Sequence, residues 1–494
     1  MTTYSPEVDT ARNNPLTILS AHPILVNIEF KIQTKSMEAQ VLKPATFLFL
    51  VFLISGPYMC KATESAEQAL EREFEHSLNE LLQLWYPRIL DHEQGGYLTN
   101  FAFDWTPLPP HPKVIVSQTR GLWTASKAAE RYPNDPRYLY AAHHGFEYFV
   151  NSLWDHQNGG FYFTIHPYKP DNAMIVPFKR AYGQAFAIYA LSAYARLTGS
   201  REALELAQKT FFWLETHSHD DRYGGYFDWT TLEGKPFADL KESHHQPYIY
   251  ESAKYKDYNS SLHLLEAFTE LHKVWPDPLL NERLEEMFLL LRESFVTEKG
   301  YLQLHFQRDW SPVSIRDSSK SYIAKHWHLD HVSFGHDIET AYLLHEAALE
   351  LGLENDPRTR KICKNLVDHT LMHGFDKEYQ GIFQVGYYFP GQDSVTILND
   401  DKNWWAQAEG LNALLLFSRL YPHESKYIEA FLKLWQYIKT YLIDHEHGGW
   451  FANGIDTDPG AAHARKAQGW KSCYHNGRAL INGLDLLKHN HVPE

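Results

Sequence analysis

Apolar residues recur at helical spacing through most of the chain. The segments 66–85 (AEQALEREFEHSLNELLQLW), 121–132 (GLWTASKAAERY), 140–154 (YAAHHGFEYFVNSLW) and 182–197 (YGQAFAIYALSAYARL) each place them three and four residues apart. Strand-like alternation is confined to short turns between such segments. One turn recurs. It reads DHEQGGY at 91–97, DHQNGGF at 155–161, DDRYGGY at 220–226 and DHEHGGW at 444–450, with weaker copies EKGY at 298–301 and DKEYQGIF at 376–383. The second glycines of the six copies are Gly96, Gly160, Gly225, Gly300, Gly381 and Gly449, so the intervals are 64, 65, 75, 81 and 68 residues.

Each interval holds two helices, and a helix before and after every turn makes twelve. Glycine pairs at a helix end allow positive φ, and the aromatic that follows can pack the turn down. No Pro/Ser-rich linker or low-complexity stretch separates the repeats, so one domain over residues 63–494 is expected. Six helical pairs close into an (α/α)6 barrel, an all-α fold. An open solenoid is the competitor, disfavoured because no atypical capping repeat is visible.

The N-terminus departs from this pattern. Lys43 precedes the apolar run Ala45–Ser55, too short to span a bilayer and right for a signal-peptide core, with cleavage after Ala62. Residues 1–62 are therefore read as a leader, with Met37 an alternative start, and the protein as exported, periplasmic or secreted. A buried N-terminal helix on a cytoplasmic protein is the alternative.

Composition narrows the partners. The 494 residues are 44% hydrophobic and 22% charged, ordinary for a folded soluble chain. A formal net charge of -15 argues against nucleic acid or an anionic membrane surface, beyond the leader itself. Aromatic residues make up 15%, and flat rings with a polar edge suit the apolar faces of sugars as well as ordinary cores. Cys60, Cys363 and Cys473 are too few for a disulfide framework and form no CxxC pair.

The chemistry gathers at the start of every second helix. In order come Arg120 (SQTRGLW), Tyr182 (KRAYGQAF), Asn259 and His263 (YNSSLHLLEAF), His336 and Glu339 (SFGHDIET), Trp404, Trp405 and Glu409 (NWWAQAEG), and Trp470 and His475 (GWKSCYHNGR). Asn259 and His263 are four apart, and His336 and Glu339 three apart, so each pair shares a helix face. Any one of these is unremarkable as a cap or a core group. Six sets converging on one end of a ring predict a polar pocket. The loop KHWHLDH (Lys325–His331) offers HxH spacing, but no HExxH pattern or cysteine pair accompanies it, so no metal is expected.

These segments resemble the N-acylglucosamine 2-epimerase family, and within it the cellobiose 2-epimerases. The resemblance runs from about Glu64 to the C-terminus on TRGLWTAS, YGQAFAIYALS, NSSLHLLEAF, SFGHDIE, NWWAQAE and WKSCYHNGR. It implies the same barrel, no organic redox cofactor, and epimerisation at C2 of an aldose, gluco to manno, through an enediolate. By resemblance His336 and His475 are the acid/base pair and Glu339 orients or relays protons with His336. Arg120 and His263 match the positions that grip the enediolate oxygen. Tyr182 and Asn259 contact sugar hydroxyls, and Trp404, Trp405 and Trp470 line the sugar subsites. Histidine suits both proton roles because its ordinary pKa is about 6.5. Glu409 receives no role.

Two departures bear on substrate length: Ser261 stands where relatives often carry a further histidine, and Ser318–His331 resembles an insertion beside the pocket. The expected partner is a sugar or disaccharide, and the expected assembly a monomer or dimer. An aldose–ketose isomerase such as a mannose isomerase, or an epimerase of N-acylglucosamine, is the nearest rival, followed by a glycoside hydrolase and a non-catalytic sugar-binding protein.

Overall fold

Each repeat is built from a half-buried outer helix, a turn with one or two glycines and a mostly buried inner helix. A computed structural model describes residues 65–166, 174–240 and 251–488, all within one contact unit, Thr63–Glu494. The leader, with Ala45–Ser55 and Met37, lies outside the described residues. The pairs are α1 (Ala66–Arg88) and α2 (Ile115–Arg131), α3 (Pro136–Tyr148) and α4 (Ala181–Thr198), and α5 (Arg201–His217) and α6 (Tyr258–His272). α7 (Pro278–Leu290) is followed by the short α8 (Lys320–His326) before its inner partner α9 (Phe334–Glu350). α10 (Pro357–His369) and α11 (Trp404–Leu420), then α12 (Lys426–Tyr437) and α13 (Tyr474–Lys488), complete the set.

The inner helices touch in the order α2, α4, α6, α9, α11, α13, and α13 returns to α2, so the ring closes. The protein is an (α/α)6 barrel. Why these helices go inside is written in their side chains. In α4, every residue from Ala181 to Ala195 is buried, and its alanines and glycine let neighbours approach on both sides. Outer helices bury one stripe only. In α12 that stripe is Tyr427, Ala430, Phe431, Leu434 and Trp435. Asp135, Asp277 and Asp356 cap outer helices, each followed by proline at the first helical position.

The expected count of twelve helices needs one correction. The insertion forms a thirteenth, α8, with Ser319 as its N-cap. It stands over a separate small core of Val313, Ile315, Ile323, Leu329 and Tyr387, tied down by Asp330 to Ser314, Ile315 and Tyr387. Seven apolar-poor residues in a loop carry no helical period to read.

The turns are locked by buried ions. Lys113 donates to Asp91 at 2.7 Å, Lys179 to Asp155 at 2.7 Å, and Lys402 to Asp376 at 2.6 Å. Lys256 meets Asp220 at 2.9 Å, and Lys466 meets Asp444. Each of these aspartates opens its turn. In three repeats a glutamine on the inner helix accepts from the turn backbone as well: Gln118 from Tyr97, Gln184 from Phe161, Gln407 from Ile382. Gly96, at φ 64°, lies against Gln118 and the Tyr148 ring, where a Cβ has no space. Among the described residues, no helix is long and apolar enough to cross a membrane.

Candidate active site

Every inner helix begins at the Gly-Gly end of the barrel, so equivalent positions in the repeats converge on the axis. Lys113, Lys179, Lys256, Val332, Lys402 and Lys471 stand two or three residues before the inner helices, although in the last repeat Lys466 takes the aspartate and Lys471 bonds the Trp450 and Lys466 carbonyls. Seven residues further on stand Arg120, Phe186, His263, Glu339, Glu409 and Arg478, all buried. These form a belt across the barrel. The Arg120 guanidinium lies 4.8 Å from the Phe186 ring, Phe186 lies 4.6 Å from His263, and Arg478 bonds both glutamates. Four residues from the same origin stand His336 and His475.

Above the belt is a cavity of about 220 Å³. The polar residues lining it are Arg120, Tyr182, Asn259, His263, His336, Glu339 and His475, and the aromatic ones are Trp404, Trp405 and Trp470. Ten of the eleven residues expected from sequence to share a pocket do so, and the eleventh, Glu409, is buried beneath it. Six helix N-termini surround it and favour negative charge near their first turns. Trp470 forms the rim at 43% exposure, and its carbonyl accepts from Arg120 Nη1 at 2.7 Å. Arg120 Nη2 reaches the Tyr182 hydroxyl at 3.2 Å, while Nε has no partner among the described residues.

The two axial histidines are held alike. His475 Nδ1 lies 2.6 Å from Glu409 Oε1, and His336 Nδ1 lies 2.8 Å from Ser333 Oγ. Nδ1 is thus engaged by the protein in both rings, and Nε2 is left for the cavity. Trp405 sits between them, with centroids 4.7 Å from His336 and 6.0 Å from His475. Burial pushes His336 down to about 3, with the neighbouring histidines adding to the shift. Burial, then Arg120 and Arg478, hold His475 well below its usual value. Both shifts favour the neutral imidazole.

Beneath them lies an acidic cluster around one guanidinium. Arg478 Nη2 donates to Glu339 Oε1 at 2.9 Å and to Glu409 Oε1 at 2.8 Å, while Nη1 meets Glu266 and the Tyr474 hydroxyl. Glu266 also takes His263 Nδ1 at 2.8 Å. Burial raises Glu266, but Arg478 and His263 outweigh it and hold its carboxyl at about 2. Burial, then Glu409 beside it, push the Glu339 carboxyl up to about 8, against the pull of Arg478.

Two residues, Glu409 and Arg478, take part here without a role assigned from sequence, and Glu339 makes a different contact from the one expected. Glu339, expected beside His336, is bonded to Arg478 instead, because it sits three residues deeper and points below the histidine layer. Glu409, given no role, is the partner of His475, and Arg478 was not singled out at all. Equivalent spacing from Lys471 was the signal that identifies Arg478.

Glu339, Glu409 and His475 offer ligand atoms within 4.8 Å of one another, the one such trio among the described residues. Their negative charge is already met by the Arg478 guanidinium, so this donor set does not suit a divalent ion as arranged. In the KHWHLDH loop, His331 bonds the His328 carbonyl, His326 stacks on Tyr322 and Trp327 packs on His331.

The profile of the N-acylglucosamine 2-epimerase (GlcNAc 2-epimerase) family matches residues 95–479. The chain belongs to this family. It is 30% identical over 430 residues to a cellobiose 2-epimerase of Bacteroides fragilis, covering 85% of this chain and 99% of the relative. A D-mannose isomerase of Marinomonas mediterranea is 23% identical over 421 residues, covering 84% and 96%. Among solved structures, cellobiose 2-epimerase from Spirochaeta thermophila superposes with a TM-score of 0.72 at 28% identity, covering 87% of this chain and 99% of that one. This member of the epimerase family is an isomerase, and a sugar 2-epimerase by its relatives.

Proposed function

We propose that the protein interconverts gluco and manno configurations at C2 of a reducing-end sugar, without a cofactor, by proton transfer between His336 and His475. The observation that carries this is the pair of imidazoles, each tied at Nδ1, facing one cavity with Nε2 unbonded among the described residues. One ring takes the C2 proton of the open-chain aldose. The enediolate that forms carries negative charge on oxygen, which Arg120 and His263 are placed to receive in a water-poor site. That charge favours imidazolium in the second ring, which draws a proton from solvent and delivers it to the opposite face, while the first ring gives the C2 proton up to solvent.

Tyr182 and Asn259 serve sugar hydroxyls, and Trp404, Trp405 and Trp470 the sugar faces. A cavity of about 220 Å³ suits one sugar residue, with a second residue extending past the exposed Trp470. The relatives named for cellobiose support a disaccharide over a free hexose or an N-acetyl amino sugar. A hydrolase is disfavoured because Glu409 is wholly buried under the histidines and does not line the cavity, whereas hydrolysis needs two carboxylates flanking the bond. The same reading includes export, with the leader removed after Ala62, and N-terminal sequencing of mature protein tests it.

The match to a mannose isomerase supports one second reading, proton transfer from C2 to C1. NMR of cellobiose, mannose and N-acetylglucosamine after incubation with the protein separates the two. Glucosyl-mannose from cellobiose supports the epimerase, a ketose product moves the protein to the isomerase reading, and no conversion of any of the three sinks both.

A further inference from the structure

Asn412 lies on α11 three residues below Glu409, 3% exposed, in the barrel interior. Its amide nitrogen donates to Glu409 Oε2 at 3.2 Å, and its Oδ1 has no hydrogen-bond partner among the described residues. An interior amide with its carbonyl unpaired costs free energy that a leucine of similar size avoids. Stability alone does not explain an asparagine here. What it does supply is a donor on the one side of Glu409 that nothing else covers: Oε1 is shared by His475 Nδ1 at 2.6 Å and Arg478 Nη2 at 2.8 Å, and Oε2 takes Asn412.

We infer that Asn412 is a positioning residue for the epimerisation, acting through Glu409 on His475. By bonding Oε2 it fixes the rotation of the carboxylate and favours its ionised form, against the burial that raises the Glu409 carboxyl. Oε1 then accepts the Nδ1 hydrogen of His475, and the ring presents Nε2 to the sugar. The charged groups facing Glu409 are His475 and Arg478 on α13, Glu339 on α9 and Glu266 on α6. Glu339 is the competitor for a proton in this cluster, so a Glu409 without its Asn412 donor shares protons with it and loses its grip on the ring. On its far side Asn412 borders a second cavity of about 620 Å³, with Tyr342 and Leu416, so a leucine in its place meets space.

This rests on the His475 role proposed above. The test uses the full chain with Asn412→Leu and Asn412→Asp, and His475→Asn as reference, measuring kcat, KM, the pH profile and Tm. The inference expects kcat to fall about tenfold or more in both Asn412 variants, with KM within about twofold. It further expects Asn412→Asp to regain activity as pH falls, because a protonated aspartic acid donates to Oε2 where leucine has nothing to donate. Should the leucine variant fail to fold, the isosteric aspartate carries the same test. Unchanged kcat in both, or equal losses with no difference in pH profile, overturns the positioning role while an inactive His475→Asn leaves the mechanism standing. A fully active His475→Asn overturns the mechanism itself.

Discussion

The two ends of a single repeat obey different rules. At the turn, five of six repeats place an aspartate against a buried lysine, and three add a glutamine on the turn backbone. Seven residues past the position that leads into each inner helix (Lys113, Lys179, Lys256, Val332, Lys402 and Lys471), the six repeats carry arginine, phenylalanine, histidine, two glutamates and another arginine. The repeats agree where they hold the barrel and diverge where they face its axis. The fourth repeat is instructive, because it has lost both ion partners together. Thr297 stands for the aspartate and Val332 for the lysine, and Asp337 bonds the turn at Leu302 instead. A buried charge left alone is costly, whereas removing both is tolerated. The same repeat carries the inserted α8.

That contrast is broken most sharply from the site side. His475→Asn is expected to lower kcat by about 10³-fold or more while Tm stays near that of the wild type, since it removes a proton carrier and keeps the shape. Steady-state assay with cellobiose and a thermal melt check it together. From the scaffold side, Lys179→Met leaves Asp155 buried and unpaired. It is expected to lose about 3–5 kcal/mol of stability in urea unfolding, with the chemistry of the surviving folded enzyme little changed. The pair Asp155→Thr with Lys179→Val, which copies the fourth repeat, is expected to recover most of that loss, leaving about 1–2 kcal/mol. A double variant no more stable than the lysine variant alone contradicts the paired account.

The smallest effect concerns pH. Because burial lowers the proton affinity of both histidines, the neutral, base-competent form persists as pH falls through 6.5. It is lost only toward the value of about 3 held by His336. A profile of kcat/KM should therefore stay nearly flat from pH 7 to 5, and a half-maximal point near 6.5 would show that the rings titrate as exposed histidines do.

Much of this was legible in the chain because repetition amplifies it. The barrel follows from the six glycine-containing turns and the apolar period between them, and the ten pocket residues follow from standing near the starts of alternate helices. The belt beneath was harder. Glu409 finds His475 across 66 residues and another helix, and Arg478 sits one turn deeper than the residues a pocket search begins with. Glu339 shares a helix face with His336, yet the longer carboxylate arm and the arginine below draw it away. α8 escaped because seven residues over a satellite core have no period to display.

The central claim is that the C2 hydrogen leaves to one ring and a different one arrives from another. Early-turnover NMR of cellobiose in heavy water tests it directly. The account predicts deuterium at C2 of the manno epimer with the recovered cellobiose still unlabelled. An epimer that keeps the substrate's own hydrogen at C2 would contradict it.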